Sequence, residues 1–594
     1  MEKISDYFLI GDLHTSALVS KKASIDWMCL PHFDSPSVFA KILDKEGGEF
    51  SLNVKGYKTD SEYIKNTAIV KTIFKKKNHS FEIKDFMVPQ PKSKTHTHIL
   101  VRKIKNISGK TSIKLNYKPK MNYGKKYPKI IKKDDSLIIK LGKEKIILHL
   151  PKKSEVEMKK EGCVIIVPLR DKEKKEFILE HCETKCNFND KDLEKKTKKF
   201  WRNWISKGNF FEFCRDKLIR SAITLKLTQF YPTGALIASP TTSLPEAIKG
   251  NRNWDYRYVW IRDATFTLYA FYVLGYTEEA RKFFGFIEKI SKEFGKGKFD
   301  LDVLYTIDGK KPPKEKNLNY LSGYQNSKPV RIGNDARDQF QLDVYGTLID
   351  SYYFMLNKRF KISKKKKKII MDLVKKIEGR WKEKDSGIWE FREDIREYTY
   401  SKVTAWVGIN RVLKICDKLD IQEKRKKELR KFEEEIKYWI WNNCYNNKNG
   451  KLLRHPGSKN QDSTNFLFVL LQFLHKKDPR TKRIIKETYE ELKNNELFVL
   501  RYKEKDRFRG REGSFVLCIF WLISALAIIE EVDEAEKLFN KFEKFIDKNG
   551  LMSEEINPKT KDYLGNYPQA YSHMGYIMSA YYINKYKKKL KNKK

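Results

Sequence analysis

Long apolar runs are missing from this 594-residue chain, and with them any candidate for a membrane-spanning helix. The longest run, 515–529, is interrupted by Ser524 and suits a buried helix. The N-terminus, Met1-Glu-Lys-Ile-Ser-Asp6, has no basic stretch followed by an apolar one, so no secretory leader is expected and the protein is read as cytoplasmic. Cysteine is scarce: the eight residues at 29, 163, 182, 186, 214, 416, 444 and 518 show no paired spacing, which points to reduced thiols and away from a disulfide framework. His181-Cys182 with Cys186 is the one local cluster, and with no second ligand pair nearby it is not read as a metal site. Signatures of RNA- or DNA-binding folds are also lacking. The net charge of +46 is therefore assigned to solvated faces such as the lysine run 364–368 and the tail 585–594, in a Lys- and Glu-rich composition typical of proteins from hot habitats. Neither a nucleic acid nor a membrane is expected as a partner.

What is present is a globular composition, 40% hydrophobic, on a chain long enough for at least two domains. Within 1–190, segments such as His98-Ile-Leu-Val-Arg102, Ser112-Ile-Lys-Leu-Asn-Tyr117, Leu137-Ile-Ile-Lys-Leu141 and Cys163-Val-Ile-Ile-Val167 are short and β-branched, and many alternate. They predict an antiparallel β-sandwich. The stretch 191–212 predicts a helical linker. From 213 to 594 the pattern is helical only, and two kinds of helix alternate. Segments near 213–230, 277–294, 363–380, 422–443, 480–497 and 532–548 carry an apolar stripe on a Lys/Glu-rich background, as at Ile370, Leu373, Val374 and Ile377. Segments near 261–274, 338–356, 400–418, 463–475, 514–530 and 568–584 are apolar on most faces. Six outer and six inner helices predict an (α/α)6 barrel, so the fold class is a multi-domain β + α chain with the sandwich preceding the barrel.

Inner-to-outer links are brief, whereas outer-to-inner links are long and hold the Trp, Arg, Asp and Glu that helix packing does not need. Those loops, 240–260, 302–337, 382–399, 445–462, 500–513 and 549–567, would all surround one cavity. The third contains Asp385-Ser-Gly-Ile-Trp-Glu-Phe-Arg-Glu-Asp394, in which Trp389 and Glu390 stand side by side. An indole can stack on the C–H face of a pyranose, and a carboxyl held against an apolar ring is disfavoured in its charged form and suited to donate a proton. The sixth opens with Glu554-Glu555, across the predicted barrel from Glu390. Two carboxylates on opposite sides of a cleft lined by Trp254, Trp260, Trp389, Arg262 and Arg501 form a constellation suited to hydrolysing a glycosidic bond.

The motifs Ile10-Gly-Asp-Leu-His-Thr-Ser16, Ser24-Ile-Asp-Trp27, Ala238-Ser-Pro-Thr-Thr-Ser-Leu-Pro-Glu246, Asn253-Trp-Asp-Tyr-Arg-Tyr-Val-Trp-Ile-Arg-Asp263, Gln339-Phe-Gln-Leu-Asp343, Gly387-Ile-Trp-Glu390, Glu512-Gly-Ser-Phe515 and Ser553-Glu-Glu555 cover nearly the whole chain. In number and order they resemble the prokaryotic glucoamylase-like proteins of glycoside hydrolase family 15. The resemblance implies Glu390 as general acid and Glu554 as general base. It also implies that Arg262 and Asp263 hold the hydroxyls of a terminal glucose and that Arg501 contacts the sugars on either side of the bond. Trp254, Asp255, Arg257, Trp389 and Glu512 complete the implied substrate-binding set. The family's base often precedes a glutamine, so Glu554-Glu555 leaves open which carboxylate serves. The activity implied is inverting, exo-acting release of glucose from α-glucans or maltooligosaccharides, without a metal or organic cofactor. An α,α-trehalase of the same family is the alternative, and a non-catalytic glycan-binding protein a more distant one.

Overall fold

The computed structural model describes residues 1–90, 97–183, 192–293, 300–356, 362–504, 509–510 and 512–592. Two eight-stranded sheets, antiparallel throughout, occupy Tyr7–Cys182. One runs in the order Tyr7–Gly11, Ser16–Ser20, Ile25–Cys29, Glu49–Leu52, Thr111–Lys118, Gly162–Leu169, Glu155–Lys159, with Ser37–Phe39 paired to Ile25–Cys29. The other is centred on Lys174–Cys182, His98–Ser108 and His79–Met87. Alternation fixes which residues face inward. Along His79–Met87, Phe81 and Ile83 are buried while Ser80, Glu82 and Lys84 are partly exposed, and Phe81 stacks on its cross-strand partner Phe74 with ring centroids 4.6 Å apart. The inner faces of both sheets merge into one apolar core containing Phe50, Leu115, Ile165, Phe74, Leu148 and Phe177.

Helix α1 (Leu193–Ile205) leads into twelve barrel helices: α2 (Arg215–Leu227), α3 (Ile261–Val273), α4 (Thr277–Glu293), α5 (Asp343–Leu356), α6 (Lys364–Arg380), α7 (Thr399–Lys414), α8 (Glu423–Cys444), α9 (Thr464–Leu470), α10 (Pro479–Leu492), α11 (Val516–Ile528), α12 (Val532–Glu543) and α13 (Ala570–Lys591). The odd-numbered ones from α3 to α13 pack neighbour to neighbour in a closed ring, and the even-numbered ones lie outside it. The outer stripes are one-sided: α6 buries Ile369, Ile370, Leu373, Val374 and Ile377, and α12 buries Val532, Ala535, Leu538, Phe539 and Phe542.

Three expectations change. Helix α2 is not a half-solvated outer helix, because every residue from Leu218 to Leu227 is buried. Strand Tyr7–Gly11 and helices α3 and α13 pack against it, and Arg220 lies with its guanidinium carbon 3.4 Å from the Tyr63 ring centre while donating to the Thr67 carbonyl. Helix α9 ends at Leu470, short of 475, where the chain turns through a left-handed Gln472 (φ 63°). Cys182 is disulfide-bonded, against the reading of eight reduced thiols, since sequence spacing does not report which sulfurs a local fold brings together. Cys186 lies outside the described residues. The other six cysteines are free, and no helix among the described residues is long and apolar enough to cross a membrane.

Candidate active site

At the end of the barrel where the long loops emerge lies a cleft of ≈ 970 Å³, measured out to its mouth. Its walls come from the first, second, third and fifth loops and from the starts of α3, α11 and α13. Short β pairings tie these loops together. Val259–Trp260 pairs with Leu304–Tyr305, and Ser514–Phe515 pairs with Glu555–Ile556, which pairs in turn with Tyr563–Leu564. The sandwich supports the same loops: Trp27 Nε1 donates to the Pro240 carbonyl, and Asn549 Nδ2 donates to the carbonyls of Ser5 and Tyr7.

Glu390 forms one wall. The loop that carries it is anchored by Asp385, whose Oδ2 accepts from the Leu342 amide (2.9 Å) and the Ser401 hydroxyl (2.8 Å). Glu390 itself is left-handed (φ 59°), a conformation costly for a residue with a Cβ and found where surrounding contacts enforce it. Three donors converge on one carboxylate oxygen, Oε1: Trp260 Nε1 at 2.6 Å, Arg262 Nη2 at 3.3 Å and Gln341 Nε2 at 3.5 Å. Arg262 is held in turn by Gln341 Oε1 (2.6 Å), Asp343 Oδ2 (3.3 Å) and Asp263 Oδ1 (3.4 Å). Burial pushes the Asp263 carboxyl up to about 6, with Arg262 opposing and Glu390 reinforcing the shift. The ring against the carboxylate is Trp260, whereas Trp389 lines the cleft with its Nε1 donating to Asp462 Oδ2 at 2.8 Å.

The sixth loop supplies the opposite carboxylates. Consecutive residues of an extended segment point to opposite sides. Glu554 accepts from the Tyr571 hydroxyl (3.0 Å) and the Asn566 amide (3.2 Å) and is hydrogen-bonded by Tyr256. Tyr256 and Tyr571 both line the cleft. Gly565 (φ 70°) closes over Glu554, and a Cβ there would stand 2.5 Å from Glu554 Oε2. Glu555 turns the other way and accepts from the Gly513 amide at 2.8 Å, leaving its buried Oε1 without a hydrogen bond. Burial, then the neighbouring Glu246, push the Glu554 carboxyl up to about 8, and Arg501 opposes them. Burial likewise pushes Glu246 up to about 7.

Oxygens of Glu246, Glu512 and Glu555 lie within 4.8 Å of one another, among the described residues the one carboxylate set compact enough for a metal ion. A guanidinium already reaches all three. Arg501 Nη2 bonds Glu512, approaches Glu246 at 3.3 Å and stands 3.9 Å from Glu555, while Arg252 Nη1 donates to Glu512 at 2.9 Å. The Arg501 plane also lies beside Trp389 and Phe515, at 5.4 and 5.0 Å from the ring centres. Trp254 is clamped between the guanidiniums of Arg331 and Arg392, at 4.6 and 4.5 Å.

Of the expected site residues, Trp254, Arg262, Asp263, Trp389, Glu390 and Arg501 line the cleft directly. Glu512 and Glu554 reach it through the side chains they bond. Asp255 and Arg257 do not belong to it, which corrects their expected contact with sugar. They form a fully buried ion pair (2.7 Å) behind the wall, and Arg257 donates to the Ser35 carbonyl and the Tyr123 hydroxyl of the sandwich. Strand-like alternation explains the split: Trp254 and Tyr256 face the cleft, so Asp255 and Arg257 face the other domain. Arg257→Ala is accordingly expected to destabilise the fold by about 3–5 kcal/mol, the cost of leaving one buried charge unpaired. The kcat/KM of the folded fraction should be unchanged, and denaturant titration alongside active-site counting reads both. Sequence reasoning missed Glu246, Arg252, Tyr256, Gln341, Arg392 and Tyr571; Glu246, Arg252 and Tyr256 lay in the first long loop.

Residues 212–581 match the family model for glycosyl hydrolases family 15, and residues 1–195 match that for a trehalase-like N-terminal domain. A protein named trehalase from Mycolicibacterium smegmatis is 34% identical over 98% of this chain and 91% of its own length. Trehalase 1 of Sulfolobus acidocaldarius is 34% identical over 96% and 97%, and the trehalase of Thermoplasma volcanium 31% over 97% and 93%. Among solved structures, a bacterial glucoamylase complexed with acarbose superposes with a TM-score of 0.74 at 14% identity, covering 98% of this chain and 94% of that one. A sandwich followed by an (α/α)6 barrel, an acid-lined cleft at its loop end and the family match over 212–581 lead to one conclusion: the chain belongs to glycosyl hydrolase family 15 and is a glycoside hydrolase.

Proposed function

We propose that this enzyme is an inverting α,α-trehalase. The observation that carries the reading is the end-to-end similarity, N-terminal domain included, to relatives named trehalase. The glucoamylase expectation rested on motif resemblance, and the solved glucoamylase that superposes on this chain does so at 14% identity, which speaks for the fold alone. In the proposed reaction Glu390 is the acid. Its Oε1 is engaged by Trp260 and Arg262, so Oε2 carries the proton that passes to the glycosidic oxygen as the bond to the anomeric carbon breaks. Glu554 accepts a proton from the water that attacks the opposite face of that carbon. Arg262 and Asp263 hold the hydroxyls of the glucose being cleaved, and Trp254, Trp389 and Arg501 form the walls around it and its leaving partner.

Inversion of trehalose releases one α-glucose, the leaving group, and one β-glucose, formed by attack of water. Proton NMR of the first turnovers is expected to show the two anomers in equal amounts. The kcat/KM for trehalose should exceed that for maltose, maltotriose or isomaltose by on the order of 10–100-fold. Cleavage of maltotriose but not trehalose would return the assignment to glucoamylase, and α-glucose alone would exclude inversion.

Glu246 supplies a pH test of the base assignment. Its charge helps push the Glu554 carboxyl up, so removing that charge lowers the Glu554 pKa, and a base works only when ionised. Glu246→Gln is expected to move the acid-side limb of the kcat/KM profile to lower pH, extending activity into acid. A limb that stays in place or moves to higher pH would separate Glu554 from it.

A further inference from the structure

A second cavity opens at the opposite end of the barrel, where the short inner-to-outer turns lie. It encloses ≈ 1110 Å³ out to its mouth, and all six inner helices contribute to its wall. Its inner end is formed by Phe266 and Trp521, which also line the active-site cleft, so two aromatic side chains separate the spaces. On α13 its wall runs from Met574 to Tyr586, roughly 18 Å of helix, and on α11 from Phe520 to Ile528, roughly 12 Å.

Apolar side chains make up much of the wall, among them Val273, Phe354, Leu470, Phe520, Ile528 and Met578. The polar groups it does contain satisfy one another. Asp350 accepts from the Tyr269 hydroxyl and Arg411 Nε, Arg411 Nη2 donates to the Leu471 carbonyl at 2.7 Å, and Ser524 bonds Ser579 at 3.1 Å. A sugar placed there would lose hydrogen bonds to water and gain few in return, whereas an alkyl chain has none to lose. The mouth differs. Tyr581, Tyr582 and Tyr586 of α13 form one side of it, and Lys585 extends from it over the Tyr581 and Tyr586 rings at 5.6 and 5.9 Å. Lys414 reaches the same rim, donating to Gln472 Oε1 at 3.0 Å above Tyr353. Among the described residues neither lysine has a carboxylate within ion-pair distance, in contrast to Lys476 and Lys589, which share Glu530 nearby. An apolar shaft beneath two uncompensated cations is complementary to one kind of molecule.

We propose that this rear cavity is a binding site for a single-chain amphiphile with an anionic head, such as a medium-chain fatty carboxylate, its tail along the barrel axis and its head between Lys585 and Lys414. The full-length enzyme is titrated calorimetrically with octanoate, decanoate and dodecanoate below their micellar concentrations, with decan-1-ol and decyltrimethylammonium as head-group controls. One equivalent is expected to bind, each added methylene tightening Kd by roughly threefold. Met578→Trp, which fills the shaft, should weaken decanoate at least tenfold while the enzyme still hydrolyses its sugar substrate. Lys585→Glu, at an exposed position, should weaken decanoate and leave decan-1-ol unaffected. Absence of saturable decanoate binding, unchanged binding in Met578→Trp, or equal affinity for the cationic control would overturn the proposal.

Discussion

Glu390→Gln is expected to lower kcat on trehalose by about 10²–10⁴-fold while leaving the affinity for trehalose close to that of the wild type. The amide keeps the shape of the carboxyl and can still accept from Trp260 Nε1 through its oxygen, so the left-handed loop has no reason to move. What it lacks is an acidic proton to transfer. The loss should shrink with α-glucosyl fluoride, whose leaving group departs without protonation. Calorimetric trehalose binding and the two substrates' rates together distinguish a lost acid from a lost pocket. Wild-type turnover in the variant would remove Glu390 from the mechanism.

Glu554→Ala is expected to abolish hydrolysis as completely, and added azide to restore part of it with α-glucosyl fluoride, giving β-glucosyl azide because the anion occupies the place of the attacking water. Glu555→Ala should retain far more activity than Glu554→Ala. The two side chains leave the same extended segment in opposite directions: Glu554 joins the hydroxyls of Tyr571 and Tyr256 at the cleft, while Glu555 sits beneath the Gly513 amide beside Arg501. Reversed behaviour of the two variants would shift the base by one residue, and an α-azide would exclude attack from the opposite face.

The helix alternation that announced the barrel was legible because each outer helix buries a single stripe, and a stripe leaves a 3.6-residue period in the sequence. Helix α2 escaped for the converse reason: both its faces are covered, one by the barrel and one by the sandwich, and periodicity within a segment says nothing about a partner 200 residues away. The same limit explains Asp255 and Arg257. Their motif was visible, but which alternate residues of 253–257 face the cleft and which face the other domain depends on how the domains dock. Glu246 stood at the end of a quoted motif without a role; its significance comes from standing beside Arg501, whose position is more than 250 residues further on. Trp389 and Glu390 both line the cleft, but the indole bonded to the carboxylate comes from Trp260, 130 residues earlier, a partner that no local motif could announce.

The hydrogen bonds from Asn549 and Tyr567 to the Tyr7 carbonyl mean that the N-terminal strand is a strut under the loop bearing Glu554. The two domains are therefore one structural unit. Excising the barrel would uncover helix α2, which is buried from Leu218 to Leu227, and release the footing of the Glu554 loop at once, so a truncated enzyme would be both prone to association and poorly aligned. Grafting a different sandwich would succeed only if its first strand presented carbonyls at the same heights. Variation in the distant N-terminal domain can in this way tune the chemistry of a cleft it never lines.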